Sequence, residues 1–240
     1  MNKQTPEKPL VRLVPTLDVH SIFRTIQGEG PFTGHPAVFI RLAGCNLQCP
    51  LCDTDYTTGR IDMTDHEVFL QVANMQKGGL VVITGGEPLR QNITGICRKL
   101  VMNGYFVQVE TNGTLPPSSY ALLELASTDL TRRDCVFFVC SPKTGRINRI
   151  LRPAIAAYKY VLTEGDVSVV DGLPITVLDH TCGADGVARP HQGFNGPVYV
   201  QPADEKDAGR NDCNVQACIA STLERGHIFQ IQLHKTIGME

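Results

Sequence analysis

One feature constrains the fold of this chain more than any other: short runs of β-branched and aromatic residues, each of strand length, alternate with stretches in which apolar side chains recur at helical spacing. The runs are Ala37 to Leu42, Leu80 to Thr84, Tyr105 to Glu110, Val136 to Cys140, Tyr158 to Leu162, Val198 to Gln201 and Ile228 to Gln232. Across residues 64–76, Val68, Val72 and Met75 keep helical spacing behind Thr64 and Glu67, which are placed as a capping box, and residues 93–101 repeat the helical pattern. Strands that alternate with helices build a parallel sheet with right-handed crossovers, so the expected class is α/β. The pattern leaves open sheet and barrel undecided. Residues 164–196, rich in Gly, Pro and Asp, are expected to form an irregular insertion in a single domain spanning 1–240, and residues 1–16 an N-terminal extension.

Composition removes several function classes. The 240 residues are 42% apolar and 19% charged, enough for a real core and unlike a disordered chain. Twenty-two basic against twenty-four acidic side chains leave a net charge of -2, so no nucleic-acid partner is expected. No apolar run approaches the roughly twenty residues that cross a bilayer, and the first fifteen residues carry charges and prolines where a secretory leader has an apolar stretch. No membrane association is expected, and the expected compartment is the cytoplasm. Nine cysteines, three of them within eight positions, point to thiolate ligands in a reducing compartment ahead of a disulfide framework.

Parallel sheets place ligands beyond the C-terminal ends of their strands. Here residues 44–53, 85–88, 111–113 and 141–143 follow four successive candidate strands, and each contains Gly, Pro, Asn or Cys. In the first loop Cys45, Cys49 and Cys52 have the spacing C-x3-C-x2-C. Three thiolates from one loop suit an iron-sulfur cluster or zinc and leave one coordination position open, although a zinc knuckle completed by His35 or another cysteine fits the spacing equally well. In the second loop Gly85 and Gly86 permit close backbone approach, and Glu87 adds an acceptor.

Taken together, the two loops resemble those of the radical S-adenosylmethionine superfamily. The resemblance implies a partial (β/α) barrel, a 4Fe-4S cluster on Cys45, Cys49 and Cys52, and S-adenosylmethionine chelated by the unligated iron. It also implies cofactor contacts from Leu51, Asp53, Gly86 and Glu87. Leu51 departs from the pattern, because that position is often aromatic in the superfamily; backbone contacts to adenine survive the change, and an aromatic stack does not.

The flank narrows the resemblance. Phe23 to Gly30 with its Gln27-Gly28-Glu29-Gly30, then Gly34 to Leu47, then Cys52-Asp53-Thr54 are similar to the 7-carboxy-7-deazaguanine synthases of queuosine-type biosynthesis. The similarity runs from Ser21 to Gly113 and returns at Ser141 to Lys143, Tyr199 to Pro202 and Leu233 to Lys235; residues 1–16 and 164–196 add nothing to it. It implies a lyase that contracts the ring of 6-carboxy-5,6,7,8-tetrahydropterin to 7-carboxy-7-deazaguanine with loss of ammonia, using S-adenosylmethionine catalytically. By matching positions, Ile26, Gln27 and Gly28 line the pterin, Arg41 lies near it, Thr84 approaches it, Thr54 gives an oxygen to Mg2+, and Ser141, Pro142 and Lys143 touch the cofactor. A homodimer and a flavodoxin-like reductant are implied as well.

Each of these has a plainer alternative. Thr54 can cap its loop and Lys143 can be a solvated cation; Glu110 and Asn112, at the end of the third strand, are placed to meet ribose or methionine at the rim, or Asn112-Gly113 can simply close a turn. Gln201, Pro202 and residues 237–240 border the site by position only. Cys97, Cys135 and Cys140 fall on apolar patterns and are expected in the core. Cys182, Cys213 and Cys218 have no spacing that marks a second cluster or a zinc site, and no histidine pair has zinc-hydrolase spacing. A glycyl-radical activase, and more distantly a metal-binding module without chemistry, are the competing functions.

Overall fold

All seven anticipated strands are present, and they form one side of a single nine-stranded open sheet in the computed structural model, which describes residues 3–12, 14–52, 54–177 and 186–239. In chain order the elements are β1 (Thr16–Ile26), β2 (Pro36–Leu42), β3 (Ile61–Thr64), α1 (Asp65–Met75), β4 (Gly79–Gly85), α2 (Thr94–Met102), β5 (Tyr105–Thr111), α3 (Tyr120–Glu124), β6 (Val136–Cys140), β7 (Ile155–Leu162), β8 (Val198–Pro202), α4 (Ala208–Arg225), β9 (Ile228–Phe229) and α5 (Leu233–Ile237). The spatial order is β3-β1-β2-β4-β5-β6-β7-β8-β9, parallel from β2 to β9, with β1 antiparallel to both β2 and β3. The sheet does not close on itself, which answers the question the sequence left open: the architecture is a partial barrel.

Side-chain alternation gives the two faces of the sheet different work. On the outer face Val38, Ile40, Val81, Ile83, Val107 and Phe138 pack with Val68, Val72, Ile96, Leu100 and Cys218 of the helices in one large core. On the inner face Ala37, Leu80, Val82, Phe106 and Phe137 meet Phe32, whose ring lies 5.2 Å from that of Phe106 and 5.1 Å from that of Phe137. This aromatic plug occupies the end of the barrel where the strands begin. Further along the same face the residues turn polar: Thr84 on β4, Gln108 and Glu110 on β5, Lys159 on β7 and Gln201 on β8. An aromatic plug below and a polar upper half leave the strand C-termini as the end where this face can meet a ligand.

The local signals behave as their chemistry requires. Thr64 Oγ1 accepts from Glu67 N at 3.2 Å while Glu67 Oε2 accepts from Thr64 N at 2.7 Å, so both halves of the α1 capping box form. Cys97, Cys135 and Cys140 are buried core residues. Cys218 is buried on α4 and Cys213 is exposed on the same helix, whereas Cys182 lies outside the described residues. In the segment 164–196, Leu173, Val177 and Val187 are buried in the main core, and its described part has an isolated bridge between Val167 and Pro174. The last strand is shorter than expected, ending at Phe229, and Gln230 turns inward to hold Gly30. Among the described residues no helix is long and apolar enough to cross a membrane.

Phe32→Ala is expected to lower the unfolding free energy by about 3–5 kcal/mol, because it empties the centre of the aromatic plug. Thr64→Ala should cost about 1 kcal/mol, the worth of a helix cap. Urea denaturation of the two variants reads both values, and equal losses would contradict this ranking.

Candidate functional site

Register brings the four loops together. Leu42 pairs with Gly85 across β2 and β4, Ile83 with Val109 across β4 and β5, and Thr111 with Cys140 across β5 and β6, so the segments that follow these strands emerge side by side. They surround an open cavity of about 1010 Å3 at the C-terminal rim. Cys45, Cys49, Leu51, Cys52 and Thr54 line one wall, Thr84 and Gly86 another, and Ser141 and Lys143 a third.

The cysteine loop and the glycine loop are joined backbone to backbone. Gly86 N donates to Leu42 O at 3.1 Å and Glu87 N to Gly44 O at 3.0 Å. A Cβ on Gly85, whose φ is +123°, would lie 2.0 Å from Leu42 O, and one on Gly86 would lie 2.0 Å from Gly44 O. The paired glycines therefore serve loop-to-loop contact as well as the cavity wall. Glu87 is fully buried and does not line the cavity. Its carboxylate accepts from Leu89 N at 3.0 Å, Thr111 Oγ1 at 2.7 Å and Asn112 N at 2.8 Å, binding the glycine loop to the end of β5. Burial pushes its carboxyl above the usual range, and these three donors pull against that shift. Asn112 Nδ2 then donates to Asn46 Oδ1 at 3.0 Å and Asn46 Nδ2 to Thr114 Oγ1 at 2.8 Å, so the third loop is fastened to the first.

Cys45 and Cys49 are buried and Cys52 is half-buried. Burial pushes the Cys45 thiol up to about 12, opposed by the hydrogen bond it accepts from Leu47 N. A mononuclear zinc would require its sulfurs about 3.8 Å apart, given tetrahedral Zn–S bonds of about 2.3 Å. Among the described residues no three His, Cys, Asp or Glu side chains converge to hold a single ion. Cys45, Cys49 and Cys52 all line the cavity, a donor set of soft thiols that suits a cluster taking each cysteine on a different iron.

The remaining expected site residues divide. Leu51 is half-exposed on the wall, and Asp53 lies outside the described residues. Lys143 Nζ donates to Ser141 Oγ at 2.6 Å; burial and then the neighbouring charge of Lys159 pull its pKa down. Pro142 is buried and off the wall. Ile26, Gln27, Gly28 and Arg41 are not on the wall either. Ile26 pairs with Pro36 at the start of β2, and Arg41 places its guanidinium 5.1 Å from the centre of the Phe23 ring. Gly28 lies beneath His234, where a Cβ would meet the ring nitrogen at 2.3 Å. Gln27 is buried behind the floor, with its amide 3.4 Å from Glu110 Oε1.

Sequence reasoning placed Glu110 at the rim and Glu29 in a motif, but it missed Lys159 and the buried charged floor that joins the three. Lys159 Nζ lies 2.8 Å from Glu110 Oε2 and is also paired with Glu29, and all three side chains are at most 15% exposed. Gln232 Nε2 donates to Glu29 Oε1 at 2.7 Å, and Gln108 bonds Glu110. Burial opposes the charge on Glu29, yet Lys159 and the Gln232 amide outweigh it and hold the carboxyl down to about 2. Burial likewise opposes the charge on Lys159, and Glu110 and Glu29 together raise its pKa above the usual lysine value. The available signal was a lone lysine inside the otherwise apolar run Ile155–Leu162. Beside this triad, Gln201 Oε1 on the cavity wall and Gln108 Oε1 are buried with no hydrogen-bond partner among the described residues.

Known proteins resemble the chain along almost its whole length. The Radical SAM superfamily model matches residues 39–132. A 7-carboxy-7-deazaguanine synthase from Rhodospirillum rubrum is 38% identical over 229 residues, covering 92% of each chain. One from Methanospirillum hungatei is 47% identical over 238 residues, covering 93% of this chain and 86% of its own. The crystal structure of QueE from Escherichia coli superposes with a TM-score of 0.66 over 91% of this chain and 95% of that one, at 21% identity, and so shares the fold.

Lys159→Met leaves Glu29 and Glu110 buried without their cation and is expected to cost about 3–5 kcal/mol in urea unfolding. Glu29 also gives stability a pH dependence. Its native carboxyl titrates at about 2 against an ordinary 4.5, so the stabilisation present above pH 4.5 drains away as pH falls towards 2. Glu29→Gln should flatten that slope; an unaltered slope would show that the carboxylate is not held by the triad.

Proposed function

This chain belongs to the 7-carboxy-7-deazaguanine synthase family of radical S-adenosylmethionine enzymes, and we propose that its rim cavity contracts the ring of 6-carboxy-5,6,7,8-tetrahydropterin to 7-carboxy-7-deazaguanine with loss of ammonia. Membership brings a 4Fe-4S cluster and S-adenosylmethionine with it. Cys45, Cys49 and Cys52 are the thiols in position to hold the cluster, and the open side of the cavity leaves room for the cofactor beside it. When bound, the pair supplies one low-potential electron and a radical that takes hydrogen from carbon.

The chain's own residues bind, orient and exclude water. Gly86 and the Ser141–Lys143 segment border the cofactor side, with Glu87 shaping the glycine loop from behind and Lys143 offering a cation to a carboxylate. Thr54 is an oxygen donor on the wall two residues beyond Cys52 and is the residue proposed for Mg2+, a hard cation that accepts one protein oxygen and takes the rest from water and substrate. Thr84 reaches the cavity from β4 beside Glu110 of the adjacent β5, and Glu29, Lys159 and Glu110 line the same cavity. Of the family positions away from the wall, Gln27 and Gly28 act from beneath that floor, Gln27 through Glu110.

One observation carries the substrate reading. Gln201 Oε1 is a buried acceptor on the cavity wall with no hydrogen-bond partner among the described residues, an expensive arrangement unless a ligand supplies the donor. A reduced pterin presents several N–H groups along one edge, which suits an amide oxygen beside the carboxylates of Glu29 and Glu110. A cytoplasmic setting is part of this reading, because three clustered thiols kept for ligation call for a reducing compartment. A homodimer and a flavodoxin-like donor complete the reading on the strength of the resemblance.

Anaerobic reconstitution followed by incubation with the tetrahydropterin, S-adenosylmethionine, magnesium and dithionite tests it, with products read by mass. A 7-carboxy-7-deazaguanine peak is expected without matching consumption of S-adenosylmethionine, whereas cofactor cleavage with no such peak would reject the substrate. Cys49→Ala should lose the iron-sulfur absorption and the product together, while Cys97→Ala, a core change, keeps both. Gln201→Leu is expected to raise KM roughly tenfold with the absorption intact, the worth of one substrate hydrogen bond. An unchanged KM would remove Gln201 from the site.

A further inference from the structure

Residues 3–10 form no helix or strand, yet they make an ordered set of bonds to the cysteine loop. The Gln4 side chain bonds two backbone groups beyond Cys52, its Oε1 accepting from Tyr56 N at 2.8 Å and its Nε2 donating to Thr54 O at 2.9 Å. Glu7 N donates to Cys45 O at 2.7 Å. The Glu7 carboxylate pairs with Arg60, just past the loop's exit, and lies 3.2 Å from Arg90 beneath its entry. Arg90 is buried and donates to Lys8 O at 3.2 Å and to Ala43 O at 3.1 Å, while Leu10 N donates back to Arg90 O at 2.7 Å. Lys3 and Gln4 also line the cavity.

The loop needs such help. Between the end of β2 at Leu42 and the start of β3 at Ile61 the described residues form no helix or strand, so their backbone groups must find partners elsewhere, and fixing the chain there costs about 1 kcal/mol or more per residue. From within, the loop is held at its stem by Gly44 N on Tyr56 O and by the contact of Gly44 with the glycine loop. The carbonyls of Cys45 and Thr54 and the amide of Tyr56 are instead satisfied by the arm.

We infer that Gln4 and Glu7 are positioning residues for the cysteine loop: the arm clasps the loop on both sides of its three thiols and holds it in a ligating conformation before any cluster is present. This rests on the proposed cluster site for its consequence, but the clasp itself is a property of the polypeptide and can be read without iron.

The test uses the full chain carrying Gln4→Ala, Gln4→Glu or Glu7→Gln. In cluster-free protein, amide hydrogen exchange across residues 44–60 should accelerate ten- to thirtyfold in Gln4→Ala, the worth of roughly two neutral hydrogen bonds, with β4 and β5 amides unchanged. Gln4→Glu, which still accepts from Tyr56 N, should fall between it and the parent. In reconstituted protein, the iron-sulfur absorption should fade about tenfold faster under chelator for Gln4→Ala and Glu7→Gln. Unchanged exchange in 44–60, acceleration shared equally by β4 and β5, or an unchanged chelation rate would each overturn the inference. A parent protein that takes up no iron would overturn the cluster reading and leave the exchange result to decide the clasp.

Discussion

The rim depends on one contact, the seam where the glycine loop lies directly against the backbone that enters the cysteine loop. Glu87 N reaches Gly44 O and Gly86 N reaches Leu42 O only because neither Gly85 nor Gly86 has a Cβ. Gly44 itself has a φ of +79°, with the Arg90 guanidinium where its side chain would be. From this seam order spreads in two directions. Glu87 passes it to the end of β5 through Thr111 and Asn112, and Arg90 passes it to Asp18, Lys8 and Ala43. A side chain at any of the three glycines would separate loops whose adjacency makes the cavity, so the constraint is one of volume before it is one of chemistry.

Much of the fold was legible because strand and helix periods are local properties. β6 agrees with its expected bounds, and β2, β4 and β5 differ from theirs by one residue at an end or both. β1 escaped notice because its alternation, apolar at Leu17 and Val19, changes phase at a bulge between Val19 and Ser21 and resumes at Ile22 and Ile26 with Arg24 between them. The four-residue β3 is too short to carry a period, and α4 buries only Asn214, Cys218 and Ser221, so its apolar stripe is faint.

The site was legible where function is written in contiguous residues and illegible where it is assembled across the sheet. Cys45, Cys49 and Cys52 announce themselves by spacing. Lys159, Glu29 and Glu110 stand on β7, the loop after β1 and β5, and only the curvature of the sheet brings them within hydrogen-bond distance. Glu87 shows what spacing leaves out. Its place beside two glycines suggests a ligand contact, and the structure adds a bracing role, its carboxylate accepting from Leu89 N, Thr111 Oγ1 and Asn112 N. The arm was hidden for a third reason: Gln4 and Glu7 sit in a stretch with no period at all, and their value comes from the backbone groups they satisfy.

The buried triad is the strongest argument that the inner face was shaped for a ligand and not for stability. Removing two carboxylates and an ammonium from water costs several kcal/mol per ion, and an apolar layer of equal volume would hold such a sheet at least as well. The lower half of the same face shows that solution in Phe32, Phe106 and Phe137. The change from aromatic plug to charged floor therefore occurs inside one continuous surface, where strand propensity and burial are nearly constant. What differs is position relative to the rim. Charges appear where the strands approach the cavity that holds the three thiols, together with the Gln201 amide oxygen, which has no hydrogen-bond partner among the described residues. A polar, preorganised floor placed there can fix a heterocycle by its edge without reorganising during reaction, which is the service a radical site needs from its protein when the reactive species comes from the cofactor.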